Sequence, residues 1–219
     1  AGVEEVGAVP ADKITELKVR DDVGTIPIQR STGKDEEGDE RVVWRAERAT
    51  RGAIQVEYVV PLNLGAGQPT TGTRSWHYGF EAVGATLLPL PQGEEEWEVT
   101  FDLGEDDRLR ASLEEWPGSV YATRSELDKM VFFQGDGRLT VDRGVQHLRA
   151  EWADGLAFEV PDAMGWIARA DRGQRKFFRD GDPTPYTVYF VPTTELPGTW
   201  IGSGQTRSFL LHAGVDLPW

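Results

Sequence analysis

The stretch 51–61, RGAIQVEYVVP, decides the first question of fold: Ile54, Val56, Tyr58 and Val60 alternate with Gln55, Glu57 and Val59. The stretch 96–103, EWEVTFDL, repeats the pattern, with Trp97, Val99, Phe101 and Leu103 set against Glu98, Thr100 and Asp102. Successive side chains of a strand point to opposite faces, so both stretches predict strands with one buried face. Shorter candidates follow at 14–20 (ITELKVR), 41–47 (RVVWRAE), 120–124 (VYATR), 129–135 (KMVFFQG), 138–142 (RLTVD), 145–150 (VQHLRA) and 156–160 (LAFEV). Turn chemistry separates them, as at Gly52, Gly93, Gly104, Pro117-Gly118, Gly135-Asp136-Gly137, Gly144 and Asp154-Gly155. Many short strands at about ten-residue spacing predict a mostly β chain built on an antiparallel β-sandwich.

Two stretches read as loops: the glycine-, threonine- and proline-rich segment 63–76 and the acidic run 34–41. The acidic run lacks the alternating ligand spacing of a calcium loop, so a solvated turn is expected there. The pattern changes at Pro161. In 161–178, PDAMGWIARADRGQRKFF, Met164, Ile167, Ala170, Gln174 and the pair Phe177-Phe178 recur at steps of three and four behind a Pro-Asp start, which predicts a helix. Gly165 and Gly173 each cost such a helix about 1 kcal/mol relative to alanine. Two further strands are expected at 186–191 (YTVYFV) and 206–213 (TRSFLLHA). The expected organisation is therefore a β-sandwich domain over 1–160, followed over 161–219 by a helix and two strands that begin a mixed α/β segment.

The 219 residues carry a net charge of −14, which disfavours nucleic acid and anionic membrane as partners. No cysteine is present, so disulfide scaffolds and thiol nucleophiles are excluded. Histidine occurs only at 77, 147 and 212, and nothing approaches the two-histidine helical spacing of a catalytic zinc site. Ser119 and Ser203 lie outside any nucleophile-elbow pattern, and no phosphate-binding glycine loop is found. Acidic clusters at 94–98, 102–107 and 114–115 read as solvated faces on an acidic chain; a facing pair of carboxyls, as in glycosidases, would need burial of one member. Of the eight tryptophans, Trp97 falls on the apolar side of its strand. Trp76, Trp116 and Trp200 sit among glycine and proline, where they either lid the sandwich or stack on a ligand such as a sugar.

A family resemblance emerges in the C-terminal third. Phe177-Phe178, Gly181-Asp182, Pro185-Tyr186-Thr187-Val188, the glycine-rich stretch Gly202 to Gln205, and Ser208-Phe209 follow one another in an order that resembles the glycyl aminopeptidase family of thermolysin-like zinc metallopeptidases. Upstream, GAIQVEYVVP, LLPLP, EWEVTFDLGE and KMVFFQGDGRLTV are similar to that family's N-terminal β domain, so the resemblance spans roughly residues 50 to 212. It implies an N-terminal β-sandwich packed against a catalytic domain whose H-E-x-x-H zinc helix would lie beyond residue 219. On that reading the chain itself is non-catalytic, holds no cofactor, and leaves zinc to the longer parent.

The resemblance also implies that Gly202, Ser203, Gly204 and Gln205 belong to an edge strand that pairs with a peptide substrate. Gln205 stands where relatives often carry an acidic residue for the substrate's free amine, which weakens the expectation of amine recognition. From the residues alone, a glycine-bearing edge strand that admits another backbone and an ordinary loop remain alternatives at this stretch. The expected partners are a peptide substrate or the catalytic domain of the same protein. Competing expectations are a stand-alone module for carbohydrate or protein ligands and an inactive peptidase relative. Export from bacterial cells is common among the relatives, so a periplasmic or secreted location is favoured slightly over the cytoplasm.

Overall fold

The computed structural model describes residues 14–34, 40–60, 73–76, 79–88, 90, 96–100, 109–113, 119–142, 147–181, 184–194 and 196–217. The described residues begin with a hairpin of β1 (Thr15–Asp21) and β2 (Gly24–Ile26), then a second hairpin of β3 (Ile28–Lys34) and β4 (Glu40–Ala46). Next, β5 (Gln55–Val59) returns to pair with β1, giving a three-stranded antiparallel sheet. The alternation around Ile54 does form a strand, but its expected buried face is only partly covered. Tyr58 and Val60 are half-buried, whereas Ile54 and Val56 remain 44% and 40% exposed, because this small sheet has no close-packed second layer among the described elements.

β6 (Thr73–Trp76), β7 (Gly79–Val83), the one-turn α1 (Gly84–Leu87), β8 (Trp97–Thr100), β9 (Leu109–Ala111) and β10 (Ser119–Ala122) follow. The end of the segment expected as a loop over 63–76 is thus a strand: Thr73 to Trp76 pair with Ala82 to Gly79. Thr73 is fully buried and Arg74 and Trp76 are half-buried, and this burial outweighs the weak strand propensity of TRSW. α2 (Arg124–Asp128) starts with a capping box: Glu126 N–H donates to the Thr123 hydroxyl, and Thr123 N–H donates to Glu126 Oε2 at 2.9 Å. It leads into β11 (Val131–Gln134), whose side chains are almost entirely buried. β6, β7, β11 and β9 form a four-stranded sheet in the order 6-7-11-9, and β8 pairs with β10.

The chain then passes to a second large sheet through Gly135 and Asp136. A Cβ at Gly135 would lie 2.3 Å from the Phe133 ring and 2.6 Å from the Trp152 carbonyl oxygen, so only glycine fits this crossing. β12 (Gly137–Asp142) and β13 (His147–Trp152) pair antiparallel. The expected strand at 156–160 is not one. Leu156 and Phe158 pack on the core from a loop, and Val160 already opens α3 (Val160–Phe178), with Pro161 in its first turn. Proline fits the first helical turn, where its missing N–H has no partner to lose, and the helix claims the end of the LAFEV run. α3 ends at Arg179, which takes the left-handed conformation with φ 56°.

β14 (Tyr186–Thr193) lies parallel to β13, making β13-α3-β14 a crossover unit. Between the two strands that the sequence predicts in this region lies a further one: β15 (Trp200–Gln205) pairs antiparallel with β16 (Ser208–Gly214), which is parallel to β14. The order 12-13-14-16-15 places β15 at the outer edge, and the sheet takes two strands from before residue 160 and three from after it.

Apolar cores hold these layers together. α3 packs on one face of the five-stranded sheet through Val160, Ala163, Met164 and Ala168 against Leu148, Ala150, Val188 and Phe190. The other face meets the four-stranded sheet through Tyr189, Val191 and Leu210 against Val83, Val131 and Phe133. Beyond that sheet, Leu127, Met130, Phe132 and Ala122 join β8, β10 and the short helices in a third core. The fold is mostly β: the five-stranded layer is mixed, the other sheets are antiparallel, and α3 is the one long helix among the described residues. Among the described residues no helix is long and apolar enough to cross a membrane.

Candidate functional site

β15 reads Trp-Ile-Gly-Ser-Gly-Gln and carries no charged side chain. It turns into β16 through the two residues Thr206 and Arg207, with Gln205 opposite Ser208. In a two-residue hairpin, the residues flanking the turn bond to each other and bonding then alternates along the strand. Gly214 N–H donates to the Thr199 carbonyl at 2.9 Å, which places Thr199, Ile201, Ser203 and Gln205 in the inward-bonding set. The main-chain groups of Gly202 and Gly204 therefore point to the outer edge, where no described strand pairs with them. Both glycines belong to this outward set.

The two glycines are not equivalent. A Cβ on Gly202 would come within 2.5 Å of the Phe209 ring, whereas one on Gly204 would meet nothing within 4 Å. Gly202 thus lets Phe209 lie across the strand, whereas the position of Gly204 has room for a small side chain. Ser203 and Gln205 project to the opposite face, where Gln205 Nε2 donates to Ser203 Oγ at 2.7 Å. All four residues expected to bind substrate are brought together on one strand. Its turn is anchored from outside the sheet: Thr206 N–H donates to the Lys129 carbonyl (2.9 Å), and its hydroxyl donates to the Glu126 carbonyl (2.8 Å).

On the α3 side of the sheet, Trp166, Ile167, Tyr186, Val188, Trp200, Phe209 and Leu211 line an apolar cleft of about 320 Å³. Trp166 is 56% and Trp200 44% exposed. Tyr186 donates its hydroxyl to the Ser208 carbonyl at 3.0 Å, and burial, reinforced by the Asp171 carboxylate, raises its pKa. The sequence flagged Trp200 but gave no sign of the cleft, because its walls come from four separate elements. Of the other tryptophans, Trp76 packs between the sheets with its ring 5.5 Å from Phe133, and Trp97 is half-buried. Trp116 lies outside the described residues.

A second polar site was not legible at all. Glu81 of β7 and His212 of β16, 131 residues apart, meet between the two large sheets with Nε2 and Oε1 at 2.6 Å. Their side chains are 3% and 0% exposed, and Arg74 Nε stands 3.5 Å from the same Glu81 oxygen. Glu81 Oε2 and His212 Nδ1 have no hydrogen-bond partner among the described residues. Position 81 interrupts the apolar run of its strand, but nothing in the sequence links it to residue 212. His77 lies outside the described residues, as does the side chain of His147, and the described residues contain no cluster of three or more potential metal ligands. Among the described residues, the Ser203 hydroxyl meets Gln205 on its own edge strand and no histidine base.

No family model matches the chain, and no curated protein matches it in sequence. Among solved structures it is similar to an aminopeptidase N family protein from Idiomarina loihiensis, with a TM-score of 0.68 and 12% sequence identity. The similarity covers 96% of this chain and 37% of that one. At this identity the likeness establishes the fold alone: the described chain has the architecture of rather more than a third of an aminopeptidase N family protein.

Proposed function

We propose that this chain is the N-terminal, non-catalytic part of a larger aminopeptidase-type metallopeptidase of the glycyl aminopeptidase kind, and that β15 forms one wall of its peptide-binding cleft. The observation that carries the proposal is the outer edge of β15. It is uncharged, and it turns the main-chain groups of Gly202 and Gly204 away from β16. Edge strands are ordinarily blunted by charge, proline or a bulge, and one without these devices is suited to accept an extended chain by main-chain hydrogen bonds. The likeness in fold to part of an aminopeptidase N family protein, and the order of motifs from residue 177 to 209, support the same reading. Zinc and the catalytic acid-base groups belong to the rest of the parent protein on this view, and the chain's own contribution is to align the substrate backbone.

Binding of fluorescein-labelled peptides that begin with glycine or alanine, followed by anisotropy, tests the edge. Gly204→Pro removes an outward N–H without touching the β16 ladder and should weaken binding about tenfold, the factor carried by about 1.4 kcal/mol, close to one hydrogen bond. Gly204→Ala retains the N–H in open space and should bind as the parent does. Equal binding by the proline variant, or no peptide binding by the parent chain, would sink the proposal.

A further inference from the structure

We infer that the edge of β15 selects peptides that place an acidic side chain, aspartate or glutamate, beside Gln205, and that Lys129 and Arg207 determine this specificity. The inference rests on the reading of β15 as a peptide-binding edge and adds the class of peptide it takes. β15 itself is uncharged, so main-chain pairing along it fixes the path of a bound chain but not its sequence. Discrimination by charge must come from side chains at the ends of the strand, and the two ends differ in sign.

The Gln205 end is cationic. The turn from β15 to β16 holds Arg207, exposed and in the left-handed conformation with φ 52°. Lys129, the C-cap of α2, stands against the same turn, because its carbonyl accepts from Thr206 N–H at 2.9 Å. It too is exposed. Among the described residues, neither cation forms an ion pair. The neighbouring carboxylates of α2 are already engaged. Glu126, whose carbonyl accepts from the Thr206 hydroxyl at 2.8 Å, gives its carboxylate to the capping box, where Oε2 accepts from the N–H and the hydroxyl of Thr123, both at 2.9 Å. Asp128 also has a partner within the fold.

Topology brings further positive charge to this end. Thr187 lies beside Ser208, and Ser208 beside Gln205, so α3 ends where β14 and β16 begin and where β15 finishes. There Arg175 contacts both Asp171 and Asp180, at 2.9 and 3.3 Å, while Lys176 and Arg179 are exposed. At the Trp200 end the sign reverses. From Thr193 to Trp219 the sequence holds no lysine and no arginine except Arg207. Asp216 sits at that end, its Oδ1 accepting from Gly198 N–H at 2.9 Å.

An acidic peptide residue beside Gln205 therefore gains two cations without displacing an existing ion pair. A lysine side chain or a free amine at the same place meets no unengaged carboxylate of α2 or of the turn. The chain as a whole carries −14, so an anionic peptide is repelled elsewhere and drawn to this end. Exposed charge pairs are individually modest, about two- to fivefold in affinity each at low salt, and they are screened as salt rises.

The probes are hexapeptides of alanine and serine, acetylated and amidated so that neither terminus is charged, each with an uncharged coumarin label. One carries aspartate at its first position and another at its last, each compared with its asparagine counterpart by anisotropy. In low salt the aspartate peptide should bind about three- to tenfold more tightly than its counterpart at one of the two positions and not at the other. The favoured position gives the direction of the bound chain. At high salt the ratio should fall towards one. Lys129→Gln combined with Arg207→Asn should also bring it towards one, asparagine being suited to the left-handed conformation of residue 207. Arg169→Gln, elsewhere on α3, should leave the ratio as it is in the parent. Equal binding of aspartate and asparagine peptides, a preference at both positions, or a preference that survives the double substitution would overturn the inference alone. So would binding confined to peptides with a free amine. Failure of every peptide to bind, those that begin with glycine or alanine included, would end the peptide-edge reading itself.

Discussion

Asp21 shows how much local structure one carboxylate can organise. It accepts from the Arg48 guanidinium at 2.6 and 2.8 Å, and from the backbone N–H groups of Val23, Gly24 and Arg51 at 3.0, 3.1 and 2.8 Å. These contacts close the β1–β2 turn and tie it to the segment entering β5. The hydrogen bonds from Arg48, joined by the backbone donors, hold its pKa well below the usual carboxylate range. A carboxylate with a depressed folded-state pKa contributes stability above its unfolded value, about 3.9, and loses that contribution as pH falls below it. Asp21→Asn should therefore melt at a lower temperature than the parent near pH 6, and the gap should narrow below about pH 4. Thermal unfolding followed by circular dichroism across that range checks it; a gap that is constant with pH would show that the charge is not the operative property.

At the scale of elements, β15 gives a second test. Gly202→Ala places a methyl group against the Phe209 ring, so the ring must shift or the strand must bend. Overpacking of this kind costs about 1 to 3 kcal/mol, and urea unfolding should show that loss for Gly202→Ala but little change for Gly204→Ala. The same contrast shows what the sequence could reveal. Period-two alternation marks β8, short continuous apolar runs mark β11 and β14, and three- and four-residue steps after Pro161 mark α3, because in each the local pattern and the tertiary burial agree. β6 and the 156–160 loop were misread where they disagree: TRSW has a poor strand pattern yet is paired and half-buried, while LAFEV has a good one but lies beside a helix start. The candidate site was legible as a glycine-rich stretch, since glycine identity is local. Its outward main-chain set and its neighbouring cleft were not, because they depend on the 205–208 turn and on residues from α3, β14 and β16.

For the molecule as a whole, the decisive feature is that the two large sheets share one core. Phe133 and Tyr189 meet across it with ring centroids 5.0 Å apart, and the Glu81–His212 contact lies in the same layer with Arg74 beside it. Burying these polar groups is costly, and their mutual contact offsets that cost only while all are present. Glu81→Ala would leave the buried His212 without its carboxylate, so the expected loss is about 3 to 5 kcal/mol, a large fraction of the roughly 5 to 15 kcal/mol that holds a typical fold. Pairing this variant with His212→Ala in a double-mutant cycle should give strong coupling, with the second substitution costing much less once Glu81 is gone. Because the apolar core spans both sheets, the loss should appear as one unfolding transition whether followed by tryptophan emission or by far-ultraviolet circular dichroism. Two separated transitions, or additive costs in the cycle, would mean that the sheets are stabilised independently. The edge strand would then be held by its own sheet and by the Thr206 contacts to Lys129 and Glu126, without support from the Glu81–His212 contact.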